Sequence, residues 1–263
     1  PRVCAVASTV VIFVALSILA LITRLRDNPL SYTYQADRRI ATREFGPVPH
    51  IIHQTWDTLE SIPDCVVTVL HANRSSNPYW IHRLYSSEDR RALIAQHFDS
   101  RVLGAFDKLP NGAASADLFR LCCLFVHGGV YLDIKASCGA LAPILERAEG
   151  RLVYCKWPFG IGPLDHPDHA ATSILVWPPG HWVMHNIIQE VVRRIYRVSS
   201  RDLRTYLTHV TGPNVYSEVV FAHVPREHML YTDTYFDGVI QHDGTNGAYY
   251  RYMKERKLHW SQQ

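Results

Sequence analysis

This sequence contains no block of like charge. Its 27 basic and 24 acidic residues are interspersed along 263 positions, leaving a formal net charge of +3. Without a basic patch there is no electrostatic footprint for a nucleic acid, and that class of partner is set aside. Cysteine is scarce too: six in a chain of this length do not make a disulfide scaffold, and no Cys-x-x-Cys pair offers a zinc site. Cys4 lies in an apolar run, and Cys122 and Cys123 fall in a predicted core helix. Cys65, Cys138 and Cys155 are left either to pair in an oxidising compartment or to remain buried thiols. Neither G-x-x-x-x-G-K-[ST] nor G-x-G-x-x-G occurs, which removes P-loop kinases and dinucleotide-dependent enzymes. Internal repeats and low-complexity tracts are also missing.

What is present describes one sizeable folded domain, because 47% hydrophobic and 19% charged residues can build a core and carry too little charge for disorder. The one long apolar run, residues 3–22, has no charge and is long enough at 1.5 Å per residue to cross a hydrocarbon core of ~30 Å. It exceeds a usual signal-peptide core and lacks a small-residue cleavage site before Arg24, so an uncleaved anchor is expected over residues 1–23. Residues 24–46 are polar, contain Asn28-Pro29 and read as a stem; the catalytic domain is expected over 47–263. Arg2 on one flank, with Arg24 and Arg26 on the other, would keep the domain in the cytosol by a positive-inside count. The sequon Asn73-Arg74-Ser75 points the other way, toward a single-pass type II protein on the lumenal face of the Golgi or the endoplasmic reticulum.

Hydrophobic patterning alternates strands and helices. Residues 48–53 read as a buried strand, 64–72 as a helix, 79–85 as a strand, and 87–98 as a helix capped by Ser86 or Ser87. Within 114–127 the apolar Leu118, Leu121, Cys122 and Phe125 recur at i, i+3, i+4 and i+7, and Gly128-Gly129 supplies the stop. A strand at 130–134, a helix at 141–149, strands at 151–155 and 173–177 and a helix at 181–198 complete the pattern. Such alternation implies a layered α/β domain with a mainly parallel central sheet.

The chemistry concentrates in residues 115–135, SADLFRLCCLFVHGGVYLDIK. Ligand crevices in open α/β sheets lie outside the carboxyl ends of strands, which is where Asp133 and Lys135 fall. Asp117 and Arg120, three residues apart on the preceding helix, share one edge of it and are suited to hold sugar hydroxyls and phosphate. Taken by itself the pair is equally an ordinary surface ion pair worth about 0.3–0.5 kcal/mol.

Several blocks in order resemble the glycosyltransferases with a DXD sugar-binding region, family 32, which includes initiation mannosyltransferases and inositol-phosphoceramide mannosyltransferases. Pro49-His50-Ile51-Ile52-His53-Gln54-Thr55-Trp56 resembles their opening I-P-x-x-I-H-Q-x-W. Residues 77–89 resemble their Asn-Pro, aromatic, short strand and acidic turn, and residues 115–135 their A-D-x-x-R then G-G-x-Y-x-D-x-D block. The run 174–181, ILVWPPGH, and Thr211-Gly212-Pro213 resemble later blocks. The resemblance implies a GT-A type fold and retaining transfer of a hexose from a UDP- or GDP-sugar to a glycan, lipid or protein acceptor. It implies donor contacts from His53, Gln54, Thr55, Trp56, Asp117, Arg120, Asp133 and Gly212, with Asp133, Lys135 and Arg120 in the catalytic centre. By residue type alone, Trp56 is equally a core residue and His53 equally a hydrogen-bonded structural histidine.

One position departs from the pattern. Lys135 stands where the family commonly has a second Asp, and an ammonium cannot coordinate the Mn²⁺ or Mg²⁺ that the motif implies. Either the ammonium neutralises the donor diphosphate directly, or other residues complete a metal site around Asp133, with His242, Asp243, Asn246 and His259 as its candidates. Asp165, His166, Asp168 and His169 form a polar cluster suited to the acceptor, among glycines and a proline that also mark a surface loop. A rival reading is a membrane-tethered sugar-nucleotide or glycan-binding protein that kept the fold and lost turnover.

Overall fold

The chain enters the fold through β1 (Ile51–Thr55), apolar at its start and buried from its second residue onward. This computed structural model describes residues 46–155, 169–232, 240–242 and 247–255. The expected anchor and stem, and Asp165, His166, Asp168, Asp243, Asn246 and His259, lie outside them. Helix α1 (Asp64–Ser76) starts with an acidic residue in its first turn, where the helix dipole favours it. Strand β2 (Ile81–Tyr85) follows. Ser86 then caps α2 (Ser87–His97) in a capping box: Asp89 N donates to Ser86 Oγ at 3.0 Å and Ser86 N to Asp89 Oδ2 at 2.9 Å. Next come α3 (Ser100–Asp107), capped by Asp99, and α4 (Gly112–His127), capped by Asn111. Strand β3 is Gly129–Leu132.

The join between α4 and β3 admits only glycine. Gly128 has φ +62°, and a Cβ there would lie 2.6 Å from Pro179 Cδ; Gly129 has φ +102°, and a Cβ there would lie 2.5 Å from Ile51 O. The helix therefore reverses directly into the strand beside β1. Beyond it run β4 (Ala136–Cys138), α5 (Ala142–Ala148), β5 (Leu152–Cys155) and β6 (Ile174–Trp177). A helical stretch follows: α6 (Trp182–Arg197), α7 (Ser200–Thr205), α8 (Leu207–Val210) and α9 (Pro213–His223). Strands β7 (Met229–Thr232) and β8 (Ile240–His242) and helix α10 (Ala248–Glu255) close the described chain.

The main sheet has the order β2-β1-β3-β6. Strand β1 is parallel to both neighbours, whereas β6 runs antiparallel to β3. Two small ladders join it, β5 with β7 in parallel and β4 with β8 antiparallel. Both faces are covered. Tyr131, Leu175 and Trp177 pack against α4, α6 and α9, while Ile52, Val130, Leu132, Ile174 and Val176 pack with Ile144, Ala148 and Val153 on the other side. Double coverage explains why β3 and β6 are apolar without alternation.

Two expectations change. β3 ends at Leu132 rather than at residue 134, so Asp133 belongs to a turn in which Ala136 N donates to Asp133 O at 2.8 Å. The Asn73 sequon is a packing element instead of an exposed acceptor. Asn73 is fully buried; its Nδ2 donates to Gln54 Oε1 at 3.0 Å and Ala136 O at 3.1 Å, and its Oδ1 accepts from Cys138 N at 2.7 Å. One turn on, Asn77 donates to Gly139 O and accepts from Leu141 N, both at 2.9 Å. These amides staple α1 to β4, and with Asn73 enclosed the sequon gives no support to a lumenal placement. Among the described residues no disulfide forms, and no helix is long and apolar enough to cross a membrane.

Candidate active site

The carboxyl ends of β1 and β3 lie side by side because the strands are parallel, and this brings Trp56 and Asp133 to the same end of the sheet. Arg120 reaches that end from α4. Its Nη2 lies 2.7 Å from Asp117 Oδ1 and 3.3 Å from Asp133 Oδ1, and its Nη1 donates to Thr172 O at 2.5 Å. The guanidinium also lies 4.8 Å from the centre of the Tyr131 ring. From 94 residues away Thr211 Oγ1 donates to Asp117 Oδ2 at 2.8 Å, tying the α8–α9 junction to the same cluster.

Burial and charge set the protonation states. Burial opposes the Arg120 charge, but Asp133, Tyr131 and Asp117 together hold its pKa above the ordinary arginine value. Burial pushes the Asp117 carboxyl up, and the Arg120 charge and the Thr211 hydrogen bond partly counter it. The side chains of Asp117 and Asp133 keep 17% and 22% exposure against 8% for Arg120, so the two acids are the accessible members of the cluster and the arginine is its buried centre.

Of the residues expected from sequence, the structure gathers Asp117, Arg120 and Asp133 into one constellation and seats Lys135, partly exposed, in the turn that follows β3. Trp56, also partly exposed, has its ring centre 6.5 Å from that of Tyr252 on α10. Gly212 precedes α9 next to Thr211; a Cβ there would lie 2.9 Å from Thr208 Cα, so only glycine lets the two helices meet this closely. His53, Gln54 and Thr55 point into the protein. His53 Nε2 lies 2.8 Å from Gly128 O, which can only accept, so the proton sits on Nε2 and Nδ1 accepts from Tyr85 OH at 3.0 Å. Burial lowers the His53 pKa to about 4, so the ring is neutral. Gln54 Oε1 accepts from Asn73, and Thr55 Oγ1 accepts from the buried Arg90, which also pairs with Asp57. His169 is buried, with its polar neighbours in the sequence outside the described residues. The β4–β8 ladder sets the backbone of His242 opposite Ala136, one residue beyond Lys135. Thr211, Tyr131 and Thr172 are contacts that the sequence reading did not assign; the Thr-Gly-Pro block was the one signal that pointed to Thr211.

A sheet covered on both faces, with a charged cluster at the carboxyl ends of its parallel strands, defines an α/β fold of GT-A type. The fold of the PaToxG glycosyltransferase is similar, with a TM-score of 0.50 at 13% identity over 84% of this chain and 81% of that one. Residues 57–140 match the family described as glycosyltransferase sugar-binding region containing DXD motif, a span that holds Asp117, Arg120, Asp133 and Lys135. Inositol phosphoceramide mannosyltransferase 3 of Schizosaccharomyces pombe is 28% identical over 67% of this chain and 46% of its own length. The initiation-specific alpha-1,6-mannosyltransferase of Candida albicans is 25% identical over 79% of this chain and 56% of its own. The chain spans about half the length of the curated relatives it matches. Residues 57–140 thus carry a DXD-type glycosyltransferase sugar-binding region, and the chain around it is similar to mannosyltransferases that share it.

Glycosyltransferases of this fold commonly use a divalent cation. The residues here fit one poorly. Asp133 shares its carboxylate with Arg120, Asp117 is engaged by Arg120 and Thr211, and the second DXD position carries an ammonium. Among the described residues no group of three or more His, Cys, Asp or Glu is gathered for a metal.

Proposed function

We propose that this protein is a retaining glycosyltransferase that moves a hexose from a UDP- or GDP-sugar to a hydroxyl of a glycan, lipid or protein acceptor. The observation that carries the reading is Arg120 held between Asp117 and Asp133 at the strand ends, inside the span that matches the family. Mannose is the first sugar to test, because the similar yeast proteins are described as mannosyltransferases.

In the reaction, the bond from the anomeric carbon to the β-phosphate oxygen breaks, leaving negative charge on phosphate and positive charge on the sugar. Arg120 keeps the two carboxylates fixed, so Asp117 and Asp133 present oxygens to donor hydroxyls without reorganising. The acceptor oxygen bonds to the anomeric carbon from the face the phosphate leaves, and its proton passes to the departing phosphate oxygen. No protein general base is required. Trp56, at the same end of the sheet, borders the nucleotide base. Attachment to a membrane through residues 3–22 belongs to the same proposal; protease protection in sealed vesicles decides between the lumenal face of the Golgi or endoplasmic reticulum, expected for a type II transferase, and the cytosolic side favoured by Arg24 and Arg26.

The test is release of nucleoside diphosphate from a panel of UDP- and GDP-hexoses by the purified chain, with mannan, inositol-containing lipids and peptides as acceptors. Turnover with one donor that is lost in Asp133→Ala supports the transferase. Tight binding of a donor without hydrolysis or transfer would favour the non-catalytic binding protein, for which the Lys135 departure is the motivating observation.

A further inference from the structure

Lys135 replaces a carboxylate with an ammonium, and that exchange moves the local charge by two units. Two units is also the charge of the cation that a DXD site binds. Asp117, Arg120, Asp133 and Lys135 sum to zero as they stand. With Asp in the last position the same four would sum to −2, and a bound divalent ion would return them to zero. The site in this chain therefore already has the electrostatic balance that its relatives' motif reaches by taking up a metal.

We propose that the Lys135 ammonium neutralises the donor diphosphate in place of a divalent cation, so that nucleotide binding by this protein is independent of metal. The inference rests on the transferase reading above. Three features of the site support it. A Mg²⁺-like cation at a nucleotide site takes one or two protein carboxylates and fills its remaining positions with phosphate and water; here the DXD turn offers one carboxylate, Asp133, and it already lies 3.3 Å from Arg120. A dication there would sit against both the guanidinium and the ammonium. Ile134 is buried in the turn while Asp133 and Lys135 on either side of it keep partial exposure, so both are accessible just past the carboxyl end of β3. An ammonium brings three donors to phosphate oxygens from a flexible stem, which suits a diphosphate better than a fixed coordination shell would with these neighbours.

The experiment is calorimetric titration of the full chain with UDP and with GDP, first in EDTA and then in excess Mn²⁺. Wild-type affinity for the preferred nucleotide is expected to agree within about twofold between the two conditions, Lys135→Ala to bind at least about tenfold more weakly in both, and Lys135→Arg to stay within about threefold of wild type. Retention by Lys135→Arg separates loss of charge from loss of structure. Wild-type binding that is about tenfold or more tighter in Mn²⁺, or Lys135→Ala binding as well as wild type, overturns the inference and leaves the transferase reading standing. No binding of either nucleotide in both conditions overturns both.

Discussion

The turn after β3 separates two polar clusters of opposite character, although Asp133 in one and Ala136 in the other are only three residues apart. On one side, Asn73 and Asn77 are buried, neutral and bonded to backbone groups of the segment from Ala136 to Leu141. On the other, Asp117, Arg120 and Asp133 are ionic, and both acids keep access to solvent. The amides fix where the turn lies and have no capacity left for a ligand. The carboxylates carry oxygens that Arg120 does not use up, and those are what a ligand can take. A saturated neutral cluster beside a partly open charged one shows how a fold can hold a charged turn still without engaging its carboxylates.

The comparison breaks most sharply at Asp133. Asp133→Ala should lower transfer at least about 10³-fold, about 4 kcal/mol of transition-state stabilisation, while the thermal midpoint moves little; kcat/KM and a melting curve of the same preparation check both. Asn73→Ala should do the reverse. It orphans Cys138 N and Ala136 O and should cost about 3 kcal/mol in denaturant unfolding, with turnover per folded molecule unchanged.

Acidification should sharpen the contrast next. The His53 pKa of about 4 lies below its ordinary 6.5, so the unfolded chain takes up the proton first. Stability from this group is complete above about pH 6.5 and is lost as pH falls toward about 4, a total of about 3 kcal/mol. Asp117, with its carboxyl raised by burial, acts with the opposite sign and favours the folded state as the medium becomes more acidic. Unfolding free energies measured from pH 4.5 to 7.5 in wild type and in Asp117→Asn resolve the two slopes. The smallest effect belongs to Thr211→Val, which removes one hydrogen bond to Asp117 and should cost about 1 kcal/mol in stability or in kcat/KM.

Much of this arrangement was legible in the sequence where local rules govern. The apolar period of α4, its Gly-Gly stop and the Ser86 cap each leave a mark within a few residues. Asp117 and Arg120 could be placed on one edge of a helix by spacing alone, and resemblance then gave them a role. Direction was not legible: a fully buried strand such as β6 shows the same apolar run whether it lies parallel or antiparallel. Nor was the link from Thr211 to Asp117, which spans 94 residues and exists only once α9 has packed. α3 is not among the elements read from the sequence although Val102, Ala105 and Phe106 keep helical spacing, because its 8 residues are shorter than the window over which a helical period shows. Asn73 was read for a motif that its burial contradicts, since three residues cannot report what covers them.

That burial has a consequence for how the chain is made. Both Asn73 Nδ2 hydrogens are committed to partners, and Ala136 and Cys138 are synthesised 63 and 65 residues after it. At about 5–20 residues per second, the asparagine stays unprotected for on the order of 3–13 s. Wherever a glycosylating enzyme meets the nascent chain, folding and modification race for one nitrogen atom. A chain that loses the race cannot close α1 against β4, so the yield of native protein depends on how soon that helix docks.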